Sequence, residues 1–187
     1  MFFSDFVAIY GQEDAQWELS MLALERFTQR SSAEFAIRPF LLRNPGRVMG
    51  QMEIWSQHPN EHVRRLSSEG CRPRLPWGVS LPMFKRDPTP VLSILEHLKA
   101  DPSLYVRKSV ANNLNDIAKD HPGVVLETVR CWKGVDPKTD WIIRQGCRTL
   151  IRKADPEVLT LFGYAADAGS DLMIGNPCQL QYTLRIR

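Results

Sequence analysis

Asp101-Pro102-Ser103-Leu104-Tyr105-Val106-Arg107-Lys108-Ser109-Val110-Ala111-Asn112-Asn113-Leu114-Asn115-Asp116-Ile117-Ala118-Lys119-Asp120-His121-Pro122 is the stretch whose pattern decides the fold. Val106, Val110, Leu114 and Ile117 recur at helical spacing and form one apolar face. Lys108, Asn112 and Asp116 run four apart along another face. Asp101-Pro102-Ser103 supplies capping chemistry at the start, and Pro122 predicts an end near His121. Asp116 therefore lies toward a helix C-terminus.

The same unit recurs on either side. Asn60-Glu61-His62-Val63-Arg64-Arg65 resembles Ser103-Leu104-Tyr105-Val106-Arg107-Lys108, and both resemble Asp140-Trp141-Ile142-Ile143-Arg144-Gln145. A proline turn precedes each: His58-Pro59-Asn60, Asp101-Pro102-Ser103 and Asp136-Pro137-Lys138. A spacing of about 40 residues is that of two-helix HEAT-type repeats, which stack because one helix pair cannot bury its own apolar face. Helices are expected over 16–29, 33–42, 45–57, 90–99, 123–132 and 156–164. The matching arginines Arg64, Arg107 and Arg144 are expected to bond neighbouring turns, making Arg107 and Arg144 structural. Trp141 is expected in the core.

Residues 178–187, Cys-Gln-Leu-Gln-Tyr-Thr-Leu-Arg-Ile-Arg, alternate strictly, with Leu180, Tyr182, Leu184 and Ile186 on one face. That is a strand pattern. The expected organisation is an all-α HEAT-like repeat superhelix over 1–168, then a linker and the first strand of a β domain over 169–187.

The segment Glu61 to Trp77 departs most from local rules. It reads as a helix stopping at Gly70, followed by the proline-stiffened basic loop Cys71-Arg72-Pro73-Arg74-Leu75-Pro76-Trp77. Glu69 sits in the last helical turn, where the helix dipole disfavours a negative charge by about 0.3–1 kcal/mol. Broken local rules mark candidate functional positions. From His62 to Arg86 there are six Lys and Arg residues against Glu69 alone, the footprint expected for phosphate contact.

The whole chain says less. It has 187 residues, a net charge of +3 and an ordinary globular composition, 43% hydrophobic and 24% charged. No apolar run of membrane-spanning length occurs and the start has no signal-peptide pattern, so a cytoplasmic protein without a membrane partner is expected. Cys71, Cys131, Cys147 and Cys178 are scattered, which argues against structural zinc and for reduced thiols.

Three motifs carry a family resemblance: Ser31-Ser32-Ala33-Glu34-Phe35-Ala36-Ile37-Arg38-Pro39-Phe40, Glu61 to Trp77, and Tyr105 to Pro122. Together they resemble the bacterial AlkC-type DNA alkylation repair glycosylases, of the HEAT-like repeat superfamily that also holds AlkD-type enzymes. The resemblance spans roughly residues 15–187. It implies a superhelix with a concave basic face on duplex DNA. It implies excision of cationic N-alkylated bases, chiefly 3-methyladenine and also 3-methylcytosine and 1-methyladenine, in base excision repair. It implies that the terminal strand opens an immunoglobulin-like domain, and that the chain lacks the family's N-terminal repeats.

Breaking the glycosidic bond of a cationic base develops oxocarbenium-like charge on the sugar. A fixed carboxylate stabilises that charge and can orient the attacking water, with no metal or organic cofactor. The expected carboxylates are Glu69 and Asp116, with Glu34 as a third. Their structural alternatives are a Glu69–Arg65 pair, an Asp116 bond to Asn112 or Lys119, and a first-turn role for Glu34. Expected DNA contacts are Arg72 and Arg74, the better phosphate candidates, with Arg65, Lys108, Asn112 and Trp77, which could stack on a nucleotide or anchor the loop. His121 is expected as a helix-end cap. The chain is expected to act as a monomer. The competing readings are a non-catalytic HEAT-repeat scaffold and a DNA-binding fragment that no longer cleaves.

Overall fold

Proline turns and side-chain caps cut this chain into short helices, and their apolar faces decide how the helices stack. The computed structural model describes residues 2–164. In order come α1 (Phe2–Tyr10), a 3-10 turn at Asp14–Gln16, α2 (Trp17–Thr28), α3 (Arg38–Arg43), α4 (Pro45–Ser56), α5 (Glu61–Gly70) and α6 (Pro82–Arg86). They are followed by α7 (Thr89–Leu98), α8 (Leu104–Ile117), α9 (Pro122–Trp132), α10 (Pro137–Gly146), α11 (Arg148–Arg152) and α12 (Pro156–Leu161). No strand occurs among the described residues. The expected strand at 178–187, and with it the β domain, lies outside them.

The starts of the helices show why they begin where they do. Asn44, Asn60, Asp136 and Asp155 each accept hydrogen bonds from first-turn amides of α4, α5, α10 and α12, satisfying donors the helix itself leaves open. Ahead of α8 no side chain caps the first turn; Asp101 Oδ1 instead accepts from the amide of the N-cap residue Ser103 at 2.8 Å, shaping the turn before the helix.

Helices α5, α8 and α10 form one layer, with α8 between the other two. Helices α4, α7 and α9 form a second layer behind them, each packed on its inner-layer neighbours. Val106, Val110, Leu114 and Ile117, the stripe predicted from spacing, are all buried between the layers. They join a core that runs from Leu24 through Trp55, Val91 and Val129 to Ile143. The all-helical two-layer stack matches the expected repeat architecture.

Three local expectations need correction. Residues 33–42 do not form one helix. Ala33 to Ile37 is a turn and α3 begins at Arg38, because Pro39 has no amide to continue the ladder and fits only the first helical turn. Three helices lie outside the expected set. One is α1, which lies against α2 with Phe3 near Phe27. The others are the short α6 and α11.

The third correction concerns register. Arg64 Nη1 donates to the carbonyls of His58 and Pro59 at 2.9 and 2.8 Å, and Arg107 Nη1 donates to those of Asp101 and Pro102 at 2.7 and 2.9 Å. The two arginines thus hold equivalent places, each locking the turn before its own helix. In α10 that place belongs to Asp140, whose carboxylate accepts from the Gly134 amide at 2.8 Å. Arg144 lies one turn further on and donates to the Tyr164 hydroxyl at 2.8 Å. An alignment of α10 on Arg144 is therefore off by one turn.

Candidate functional site

With the register corrected, the inner helices can be compared place by place. The fifth residues of α5, α8 and α10 are Arg65, Lys108 and Trp141, and the ninth are Glu69, Asn112 and Gln145. Starting on the last residues of α5 and α10 stand Gly70-Cys71-Arg72 and Gly146-Cys147-Arg148, the same tripeptide at the same place. Both glycines are packed too closely for a side chain: an added Cβ would lie 2.7 Å from Ile37 Cγ2 at Gly70 and 2.7 Å from Leu114 Cδ2 at Gly146. Cys71 and Cys147 are buried free thiols, each pushed up to about 12 by burial, so neither is a nucleophile near neutrality. Cys131 is not among the free thiols.

The tripeptides lead to different surroundings. At the α5/α8 junction Arg72 is only 6% exposed and bridges two carboxylates. Its Nη1 donates to Glu69 Oε1 at 2.6 Å and its Nε to Asp116 Oδ2 at 2.9 Å, with Nη2 in ion-pair contact with the same Asp116 oxygen at 2.8 Å. Burial opposes the charge on Arg72, but Glu69 and Asp116 outweigh it and hold the guanidinium above its ordinary value. Glu69, 6% exposed, also accepts from Ser109 Oγ at 2.6 Å on Oε2. Asp116, 2% exposed, accepts from Lys119 Nζ at 2.9 Å on Oδ1. Both expected catalytic carboxylates are therefore brought together across one arginine, from elements more than forty residues apart.

Glu34 joins the cluster from the turn before α3. Arg65 Nη1 donates to Glu34 Oε2 at 3.3 Å and to Ser32 Oγ at 2.8 Å, while Nη2 stands 3.9 Å from Glu69 Oε1. The Arg65 guanidinium also lies over the Tyr105 ring, 4.7 Å from its centroid. Glu34 has no other bond among the described residues, so it keeps more open acceptor capacity than Glu69 or Asp116. The expected Glu69–Arg65 pair is present only as this longer contact. Of the two alternatives weighed for Asp116, Lys119 is the partner and Asn112 is not.

Arg72, expected as an exposed phosphate contact, is instead the buried link between the carboxylates. Its place in a proline-stiffened loop suggests an outward side chain; the carboxylates at the α5 and α8 ends draw it inward. Arg74 does face outward, and forms a two-point pair with Asp120 at 2.6 and 3.2 Å. The hydrogen bond from Arg74 holds the Asp120 carboxyl below its ordinary value of 3.8.

The loop carrying these arginines is held from behind by Arg38, 1% exposed, an internal residue that sequence reasoning did not single out. Its Nε donates to the Val79 carbonyl at 2.5 Å and its Nη1 to the carbonyls of Gly70 and Arg72 at 3.0 Å each. Burial lowers this guanidinium to about 10. Leu75 and Leu81 anchor the loop in the interior. At its tip Trp77 is 99% exposed and sits at φ +64, a left-handed conformation that is strained for a bulky side chain. It is not the loop's anchor; the leucines and Arg38 are.

His121 does not cap a helix through its ring. Its Nε2 hydrogen bonds the Lys85 carbonyl at 2.8 Å. Lys108 is exposed, and Asn112 accepts from Arg148 Nη2 at 3.1 Å. Trp141, expected in the core, is half-buried and lines a recess with Lys108, Ala111, Asn112, Gln145 and Arg148. No helix among the described residues is long and apolar enough to cross a membrane.

No protein-family model matches the chain. It is 58% identical over 162 residues to an uncharacterised protein of Bacillus subtilis (strain 168), YhaZ, a match covering 87% of this chain and 45% of that protein. Its fold superposes with a TM-score of 0.83, at 53% identity, on Pseudomonas fluorescens alkylpurine DNA glycosylase AlkC bound to DNA containing an abasic site analog; the match covers 86% of this chain and 44% of that one. AlkD2 from Streptococcus mutans shares the fold at a TM-score of 0.56 and 22% identity, over 79% of this chain and 80% of that one. The chain thus spans less than half the length of the two relatives it resembles most in sequence among these. Repeat architecture, the three motifs and this degree of identity agree: the chain belongs to the AlkC/AlkD family of HEAT-like repeat proteins.

Proposed function

We propose that this chain carries the catalytic centre of a DNA glycosylase that removes cationic N-alkylated bases from duplex DNA in base excision repair. The observation that carries the reading is the convergence of Glu34, Glu69 and Asp116, from three separate elements, around Arg65 and Arg72. Its similarity to a glycosylase solved on abasic DNA supports the same reading. The substrate proposed first is 3-methyladenine, then 3-methylcytosine and 1-methyladenine.

A cationic alkylated base leaves as a neutral molecule, so bond cleavage needs no acid to protonate it. The positive charge passes to the deoxyribose, and that is where a fixed negative field lowers the barrier. Glu69 and Asp116 supply the field, with both oxygens of each already held by Arg72, Ser109 and Lys119. Such carboxylates need no reorganisation as charge develops. Glu34, with its spare acceptor capacity, is the group suited to hold the attacking water. The exposure of Trp77 supports a role for its ring in meeting a nucleotide.

The test is base release from methylated duplex DNA. Glu34→Gln, Glu69→Gln and Asp116→Asn should each slow release at least about tenfold, equivalent to about 1.4 kcal/mol of barrier. Circular dichroism and duplex affinity serve as controls for folding. Wild-type rates in all three variants would remove the assignment. Absence of release by the wild-type chain alongside intact duplex binding would favour a DNA-binding fragment over an enzyme.

A further inference from the structure

Helices α1 and α2 form the end of the stack, and their outward side is apolar where a terminal repeat should be polar. Helix α2 turns Ser20, Met21, Leu24 and Thr28 inward and packs on α5. On its opposite side Leu19 and Leu22 are 70% and 46% exposed, beside Phe6 and Tyr10 of α1 at 56% and 62%. The Phe6 and Tyr10 rings touch, with centroids 4.8 Å apart. Between the two helices runs an apolar groove of about 440 Å³, lined by Phe6 and Tyr10 on one side and by Leu19, Ala23 and Phe27 on the other. The groove is a built feature, because Ser20 Oγ donates to the Gly11 carbonyl at 2.8 Å and ties the turn after α1 to α2. Exposed apolar surface gathered in this way marks a contact site.

The charges on α2 point to what covers this face. Glu18, Leu22 and Arg26 are four residues apart, exposed, and on one stripe of the helix. Neither Glu18 nor Arg26 has an ion-pair partner among the described residues. They carry opposite charges at equal distances on either side of Leu22. Such a stripe is complementary to its own copy turned about a two-fold axis. With two α2 helices antiparallel and Leu22 against Leu22, Glu18 of each copy meets Arg26 of the other. We infer that this face is the interface of a homodimer, in which α2 packs antiparallel on α2 of a second copy and Phe6, Tyr10, Leu19 and Leu22 are covered. The apolar side chains drive the association. The Glu18–Arg26 pairs at the rim contribute little energy and set direction and register. The chain is then a dimer, where the sequence alone leads one to expect a monomer. The inference does not rest on the glycosylase reading.

The test is the oligomeric state of the 187-residue chain, by sedimentation velocity in reducing buffer over a wide range of concentration. The wild type should reach a discrete species of twice 21.4 kDa and dissociate on dilution. Leu22→Asp should weaken association at least about tenfold, because it puts two charges at the centre of the contact. Glu18→Arg alone and Arg26→Glu alone each set like charges together, and each should weaken association about tenfold, more at low salt than at high. Both changes in one chain should restore the wild-type constant. Mixing the two single variants should give a heterodimer tighter than either homodimer. Circular dichroism checks folding; all three positions are exposed, so helix content should hold. A wild type that stays monomeric at every concentration overturns the inference and leaves the face to another partner. A dimer indifferent to Leu22→Asp places the interface elsewhere and overturns it too. So does association that runs past the dimer or ignores the charge reversal, which is the behaviour of a merely adhesive surface.

Discussion

Two junctions between successive inner helices share one backbone plan and differ in what surrounds a single arginine. At α5/α8 Arg72 is sealed between Glu69 and Asp116; at α8/α10 Arg148 rests on an amide and a carbonyl. The continuation differs too. After Cys71-Arg72 comes Pro73, which forbids helix and starts a loop clamped by Arg38; after Cys147-Arg148 come Thr149 and Leu150, and α11 begins at once. Thr149 is tied down by Asn115, whose Oδ1 accepts its hydroxyl at 2.8 Å. A repeat protein can thus keep its packing glycine and buried cysteine while assigning opposite electrostatic tasks to neighbouring joints. The difference lies in the side chains around each arginine and in the path the chain takes after it, not in the helix ends that carry the two tripeptides.

The sharpest way to break this comparison is to remove the two arginines in turn. Arg72→Met leaves Glu69 and Asp116 buried without their common cation, and should destabilise the chain by about 3–5 kcal/mol. Arg148→Met leaves only an amide and a carbonyl, both able to reach water, and should cost under about 1.5 kcal/mol. Urea denaturation of the two variants gives the answer; equal losses would mean that the two arginines serve the same structural purpose.

The clamped loop offers a second contrast, between stability and function. Trp77→Gly relieves the positive φ and exposes no new apolar surface, so thermal stability should hold or rise by about 1 kcal/mol. Duplex affinity or base release should nevertheless fall. A clear loss of stability would show that Trp77 packs in solution, against its full exposure here.

The smallest effect is expected at the loop's outer edge. Arg74–Asp120 is partly exposed, so Asp120→Asn should cost only a few tenths of a kcal/mol and less at high salt. The sign with pH follows from the direction of the shift. Because the folded state holds Asp120 below its ordinary 3.8, the contribution is present above that value and is lost as pH falls through the folded one. The stability difference between wild type and Asp120→Asn should therefore shrink below about pH 3.8, as pH-dependent denaturation would reveal.

Much of this is legible from residue order. The α8 stripe, the proline turns before α5, α8 and α10, and the end of α5 at Gly70 all follow from short-range rules, and all are present. The misplaced charge of Glu69 does point to an unusual position. The Gly-Cys-Arg tripeptide is also in plain view and corrects the α10 register, since its two copies stand at identical places after their helices. Arg144 is a weaker guide to alignment, because a lone arginine recurs by chance on any exposed face.

Sequence by itself determined the helical repeat, most of its caps and the helix-end positions of Glu69 and Asp116, because these depend on residues within a turn or two of each other. Only the tertiary structure decided that Arg72 faces inward rather than toward a phosphate, that Arg38 holds the loop from below, and that Arg148 keeps its charge unneutralised beside the carboxylates. An arginine's side chain is long enough to reach either solvent or a neighbouring helix. Which way it turns depends on Asp116, which lies more than forty residues away along the chain and meets Arg72 and Glu69 only once the repeats have stacked.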